Sequence, residues 1–299
     1  MNGIQKFNTV DEYNKVVGVE TRHPLVTVID LSKATHVGEY PEGHSFGYYT
    51  VFLKEQKCGD MKYGRNYYDY QEGTLVFLAP DQIVRIENRL PHQPKGWTLM
   101  FHPDLLRVTA LGRAMKEYSF FSYEVFEALH LSEEEHKTVL ECFGNIASEL
   151  NHSIDNHSQR LIVSNIELFL NYCTRFYERQ FITRKHVNSD VLSRFENLLN
   201  DYFKSDLPQK HGLPSVKYCA DKLNLSANYL GDLIKKETGK TAQEHVQLRL
   251  IEIAKEKIFE KQKSVSQIAY ELGFEYPQYF SRLFKKRTGM TPNEYRGLN

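Results

Sequence analysis

Two stretches near the carboxy end of this chain repeat one another, and a repeated unit constrains architecture more tightly than composition does. Ser215–Val246 (SVKYCADKLNLSANYLGDLIKKETGKTAQEHV) and Ser264–Arg296 (SVSQIAYELGFEYPQYFSRLFKKRTGMTPNEYR) align at a spacing of 49 over Ser215, Val216, Ala220 and Leu223. One extra residue in the second turn then shifts the spacing to 50, over Tyr229, Leu233, Lys235, Lys236, Thr238, Gly239, Thr241 and Glu244. Two copies make a paired module and not a solenoid.

Each copy has a local grammar. In the second, Val265, Ile268, Ala269 and Leu272 fall at helical spacing and form one apolar face. Gly273 follows where a left-handed backbone is cheap for glycine, and Asn224, the other residue that tolerates it, stands at the matching place. Pro277 suits the first position of the next helix, where its missing N–H costs nothing. That helix is expected to bury Phe280, Leu283 and Phe284 and to turn Gln278, Ser281, Arg282, Lys285 and Lys286 outward. Gly289 ends it, and Thr291 to Glu294 has capping-box form. Two short helices joined by a tight turn, the second basic on its free face, is the sequence form of a DNA-reading helix-turn-helix. Between the copies, Ala242–Phe259 reads as one helix, with Val246, Leu250, Ile253, Ala254 and Ile258 on one side. Its length is about 27 Å, against about 34 Å for one turn of B-DNA, so it can hold two reading helices in successive major grooves.

The second copy resembles the signature of the AraC family of bacterial transcription regulators. The residues that carry the likeness are Ala269, Gly273, Phe274, Tyr279, Phe280, Arg282, Phe284, Lys285, Lys286, Gly289, Thr291, Pro292, Tyr295 and Arg296. The resemblance covers roughly the last hundred residues. It implies that Gln278 and Arg282 read bases, with Ser281 on the same face, and that Asn228, Gly231 and Asp232 are their counterparts in the first copy. Asp232 departs from the arginine common there; it either accepts from cytosine or is a surface residue. Lys235, Lys236, Lys285 and Lys286 are expected to hold phosphates. The resemblance further implies double-stranded promoter or operator DNA and RNA polymerase as partners, with activation the commoner outcome.

Charge agrees with this division. Residues 183–299 carry 20 Lys and Arg against 14 Asp and Glu, a balance of +6, while the rest carries 18 against 24, a balance of −6. A basic third suits a polyanion, and the acidic remainder does not. Cys58, Cys142, Cys173 and Cys219 are scattered without a C-x-x-C pair and read as reduced, buried residues, unlike the zinc-bound acceptor cysteine of the family's DNA-repair relatives. No apolar run approaches membrane-spanning length, and the amino terminus MNGIQKFNTVDEYNK lacks a signal-peptide core, so a cytoplasmic protein without membrane contact is expected.

The amino-terminal part reads as strands. A short helix is expected at Val10–Val17, then strands at Leu25–Leu31, Ser45–Leu53, Gly73–Leu78, Gln82–Ile86 and Trp97–Phe101, punctuated by Gly, Pro and Asp. This spacing suggests a β-sandwich or barrel, and Glu72–Ile83 (EGTLVFLAPDQI) resembles part of a cupin domain, where the AraC family commonly places its sensor. His36, His44, His92 and His102 stand apart, Glu39 and Glu42 do not complete a ligand set, and so no metal, cofactor or catalysis is expected. Phe46, Tyr48, Tyr49, Phe52, Tyr63, Tyr67, Tyr68 and Tyr70 make an aromatic-rich region that suits either a sugar or other metabolite or an ordinary packed core. No residues are assigned to the effector.

From Ser132 the period becomes helical, through Val139, Cys142, Phe143, Ile146 and Leu150, then Leu161, Ile162, Ile166, Phe169, Leu170, Cys173 and Phe176. By resemblance such a helical pair forms a homodimer interface. Ile182–Ser189 reads as an interdomain linker, Asp190 as the cap of a helix carrying Leu192, Phe195, Leu198, Leu199, Tyr202 and Phe203, and Asp206–Pro214 as its exit loop. The expected fold is therefore α+β: a cupin-like β-barrel sensor over 1–130, a helical pair over 131–182 and an all-α double helix-turn-helix over 183–299. The expected function is sequence-specific transcription regulation, as an effector-controlled activator and not an enzyme.

Overall fold

The computed structural model describes residues 4–34, 43–55, 60–63, 66–68, 73–87, 95–123, 127–152, 155, 157–183, 185–260 and 262–297. His36, Glu39, Glu42, Cys58, Tyr70 and His92 lie outside them, as do the side chains of Tyr63, Tyr67 and Tyr68. The chain divides into two compact units, Met1–Thr183 and Arg184–Asn299.

The first unit runs β1 (Ile4–Phe7), α1 (Val10–Val17), β2 (Val26–Asp30), β3 (Gly43–Phe46), β4 (Tyr49–Lys54), β5 (Asp60–Tyr63), β6 (Asn66–Tyr68), β7 (Thr74–Leu78), β8 (Ile83–Glu87), β9 (Gly96–Phe101), α2 (Ala110–Ala114), β10 (Leu129–His130), α3 (Glu133–Asn151) and α4 (Ser158–Thr183). α1 forms where expected because both ends are capped. Thr9 accepts from the Glu12 N–H, and Gly18 takes a left-handed turn at φ 71°.

The strands build two five-stranded sheets, ordered β1-β3-β8-β5-β6 and β10-β7-β4-β9-β2, and not the closed barrel expected. Each sheet keeps two edges among the described residues. The first is mixed, since β1 runs parallel to β3, and the second is antiparallel throughout. The single strand expected over Ser45–Leu53 is two strands, because the chain changes sheets at Gly47–Tyr48. There the Gly47 N–H donates to the Phe7 carbonyl at 2.8 Å. β1 escaped the sequence reading because Ile4 is exposed and only Phe7 of its four residues is buried, which leaves no alternation to see.

Register sorts the aromatic residues. Phe7, Phe46, Tyr48, Phe52, Val76, Leu78, Val84 and Met100 share the core between the sheets. Tyr49 points the other way, stacking on Phe101 at 5.2 Å and meeting Phe121 edge-on at 4.9 Å. Phe77 lies on that second face among Phe120, Phe121, Phe169 and Tyr177. The sheet containing β4 is thus covered on both faces, which is why its strands read as continuous apolar runs.

α3 opens with the Ser132–Glu135 capping box and buries Val139, Cys142, Phe143 and Ile146 against α4. Arg179 of α4 grips Glu135 through two charge-assisted bonds of 2.8 and 2.7 Å and also donates to the His130 carbonyl. Gln180 pairs with the β10 backbone, accepting from His130 and donating to Ala128, as a neighbouring strand would. Leu161, expected on the buried stripe, is exposed instead. Burial pushes the Cys142 thiol up to about 11 and the Cys173 thiol well above its ordinary value, so both sit as apolar packing groups. His44 is stacked beside Phe7 and Phe46, while His102 caps a 3₁₀ turn by accepting from the Asp104 N–H.

The second unit is helical: α5 (Lys185–Lys204), α6 (Leu207–His211), α7 (Val216–Leu223), α8 (Ala227–Thr238), α9 (Ala242–Ile258), α10 (Val265–Glu271), α11 (Pro277–Thr288) and α12 (Pro292–Arg296). Two expectations change here. The boundary between the units falls inside the stretch read as a linker, Ile182–Ser189, but α5 begins at Lys185, so Asp190 lies inside α5 and not at its cap. The exit loop Asp206–Pro214 contains α6, opened by Pro208 near its first position.

Candidate nucleic-acid interface

The two repeats fold by the same local rules. α7 starts at Ser215, whose hydroxyl accepts from the Tyr218 N–H at 3.0 Å, and α10 starts at Ser264 with a full capping box to Gln267. Each then closes with the same reversed bond, from the Leu225 N–H to the Ala220 carbonyl (2.9 Å) and from the Phe274 N–H to the Ala269 carbonyl (3.0 Å). The left-handed residue is Asn224 in one (φ 56°) and Gly273 in the other (φ 90°). α8 and α11 end on Gly239 and Gly289, whose N–H groups donate to Lys235 and Lys285. Capping boxes at Thr241–Glu244 and Thr291–Glu294 then start α9 and α12. The threonine N–H groups hold both glutamate carboxyls below their ordinary range.

Gly273 cannot be exchanged for asparagine in the same way. A Cβ there would come within 2.7 Å of the Pro208 carbonyl oxygen and 2.9 Å of the Gly212 backbone. The second turn is therefore pressed against α6 and its exit, and only a glycine fits the approach. Tyr202 secures that exit from α5 by donating to the Gly212 carbonyl at 2.9 Å.

α9 bridges the modules. It buries Val246, Leu250, Ile253, Ala254 and Ile258 as its period indicated, and touches α8 on one side and α10, α11 and α12 on the other. Arg287 donates to Gln247 at 2.7 Å, and Arg296 to the Ile258 carbonyl at 2.6 Å, fastening the second module to the connector at both ends. Seventeen residues make it about 26 Å long.

Of the predicted contact residues, Asn228, Lys235, Lys236, Gln278, Arg282, Lys285 and Lys286 are exposed, while Gly231, Asp232 and Ser281 are half-buried. α8 buries Tyr229, Leu230, Leu233 and Ile234, whereas α11 buries only Phe280 and Phe284 and leaves Leu283 half-covered. One consequence escaped sequence reasoning. Tyr279 is 55% exposed although its repeat partner Tyr229 is 7% exposed. Its ring lies 5.8 Å from the Arg282 guanidinium and 5.8 Å, edge-to-face, from exposed Tyr276. The repeat aligns the two tyrosines, and the narrower packing of α11 separates their exposure.

Two helix-turn-helix units on one connecting helix define a DNA-binding protein of the double helix-turn-helix class. The helix-turn-helix domain family matches residues 219–297. The chain is 45% identical over 85 residues to the transcriptional regulatory protein YesN of Bacillus subtilis, a match covering 27% of this chain and 23% of that protein. It is 22% identical over 277 residues to the transcriptional activator RhaS of Enterobacter sp. strain 638, covering 86% of this chain and 94% of RhaS. It is 30% identical over 107 residues to AdaA of Bacillus subtilis, a bifunctional transcriptional activator and DNA repair enzyme, covering 36% and 49%. The chain thus spans about a quarter of YesN and half of AdaA. Residues 219–297 form a helix-turn-helix domain of the kind these transcriptional regulators carry. Among the described residues no helix is long and apolar enough to cross a membrane.

Proposed function

We propose that this AraC-type regulator is a cytoplasmic transcription activator, controlled by a small-molecule effector and acting as a homodimer beside RNA polymerase. The observation that carries the DNA part is the repeated module on one connector. α9, at about 26 Å, approaches the 34 Å repeat of B-DNA. Arg282 and Gln278 read base edges in the second module, with Ser281 beside them, and Asn228, Gly231 and Asp232 line the first. Lys235, Lys236, Lys285 and Lys286 hold phosphates and contribute the salt-dependent part of affinity.

Two features support the rest. The hydroxyls of Tyr48, Thr50 and Thr98 are buried in the first unit without a hydrogen-bond partner among the described residues. An unmade buried bond costs about 1–3 kcal/mol, so a cupin-like sensor that offers them to a hydroxylated metabolite explains their retention. Leu161, Leu168 and Ile182 are exposed along α4, a face that suits a second copy of the helical pair. RhaS, named an activator, supports activation as the outcome.

Selection from a pool of randomised duplexes by the full-length protein tests the reading. Enrichment of one sequence, whose preference over a scrambled duplex survives a rise in salt, is the expected result. Equal binding to both duplexes, collapsing together with salt, contradicts it.

A further inference from the structure

We propose that Tyr279, backed by Tyr276, is a specificity-determining residue that reads the 5-methyl group of a thymine beside the guanine read by Arg282. This rests on the DNA-reading role proposed for α11. The first ground is placement. Tyr279 lies one residue after Gln278 and three before Arg282, so it shares the outward face of the reading helix with Arg282. The second is exposure. Tyr279 is 55% and Tyr276 is 47% exposed, and the two rings meet edge-to-face at 5.8 Å, making one continuous aromatic surface. The third is the comparison built into the chain. Tyr229, the same residue at the matching position of α8, is buried, and Ser226 caps α8 where Tyr276 begins α11. The repeated fold therefore places this tyrosine in its core in one copy and on its free face in the other.

Chemistry selects the ligand. In the major groove the only apolar group on a base edge is the thymine methyl, and arginine's best partner is guanine O6 and N7. The Arg282 guanidinium, 5.8 Å from the Tyr279 ring centroid, is within cation–π range. The ring therefore limits the arginine's rotamers while presenting its own edge to the neighbouring base pair. A thymine next to a guanine is the pair of groups this arrangement fits. The first module, with Asn228, Gly231 and Asp232 and no exposed ring, reads no methyl in this way.

The test uses the full-length protein and the duplex enriched from a randomised pool. Replacing guanines singly by 7-deazaguanine finds the base whose loss Arg282→Ala no longer feels. Replacing neighbouring thymines singly by deoxyuridine removes only the methyl. The expected result is a roughly three- to tenfold loss for one thymine within two base pairs of that guanine. Tyr279→Ala should lose the same amount on the thymine duplex and none further on the deoxyuridine duplex, while Tyr279→Phe keeps the discrimination. Three outcomes overturn the inference: neutral deoxyuridine at every position, a thymine preference that persists in Tyr279→Ala, or equal losses for Tyr279→Phe and Tyr279→Ala on all duplexes, which marks a phosphate contact. Failure of the pool to enrich any sequence, or unchanged binding by Arg282→Ala, instead overturns the role of α11 itself.

Discussion

The two helix-turn-helix modules share their caps, turns and stops, yet they are packed unequally. α8 lies between α5, α7 and α9 and buries four residues, whereas α11 lies between α9, α10 and the five-residue α12 and buries two. The wider apolar face of α8 takes Tyr229 into the core. The narrower face of α11 relies on two large rings, Phe280 and Phe284, and leaves Tyr279 beside Arg282. A conserved backbone grammar therefore does not fix which side chains face a ligand. The breadth of the packed stripe does, and it differs between copies that align residue for residue.

The largest contrast should come from the turns. Gly273→Ala meets both a left-handed φ and the Pro208 and Gly212 backbone, and should lower unfolding stability by about 3 kcal/mol. Asn224→Ala faces only the φ and should cost about 1 kcal/mol. Urea unfolding of the two variants measures this, and equal losses would show that the second turn is not pressed against α6. The next contrast lies on the reading faces. Arg282→Ala should lose about 2 kcal/mol on the enriched duplex, whereas Asp232→Ala, half-buried and already engaged with other groups, should lose about 1 kcal/mol, the low end for a base contact. Titration of both variants against the same DNA decides it.

Smaller effects sharpen the symmetry. Thr241→Ala and Thr291→Ala remove matching capping boxes and should each cost about 1 kcal/mol. Thermal unfolding should find the Thr241 variant at least as affected, since α9 serves both modules. The smallest effect is acid dependence. The Glu244 and Glu294 carboxyls are held below their ordinary range by the Thr241 and Thr291 N–H groups. A lowered carboxyl contributes stability above its unfolded pKa and loses it as pH falls through the folded value. Melting temperature should accordingly drop below the ordinary glutamate range, and Glu244→Gln should flatten that drop.

Much of the second unit was legible because its signals are local. Ser, Thr, Gly, Asn and Pro at the helix ends specify caps whose bonds form within a few residues, and α9 shows its period plainly. What was not legible depends on distant contacts. Nothing near Gly47 announces that the chain changes sheets there, because the reason is a bond to Phe7 far back in sequence. β1 pairs in parallel with β3 while exposing three of its four residues fully or partly, so no alternation marks it. The start of α5 ahead of Asp190 was not legible because Lys185–Ser189 is a polar, basic run with no apolar period. The repeat aligns Tyr279 with Tyr229 and carries no sign that one is exposed and the other buried.

The central claim is that both modules engage one face of DNA from a rigid connector. Hydroxyl-radical footprinting of the full-length protein on its enriched duplex tests it most directly. The account predicts two protected patches on the same face, about one helical turn apart, with Arg282→Ala weakening protection at the second module's patch. A single patch one groove wide, unchanged when either reading helix is altered, would contradict it.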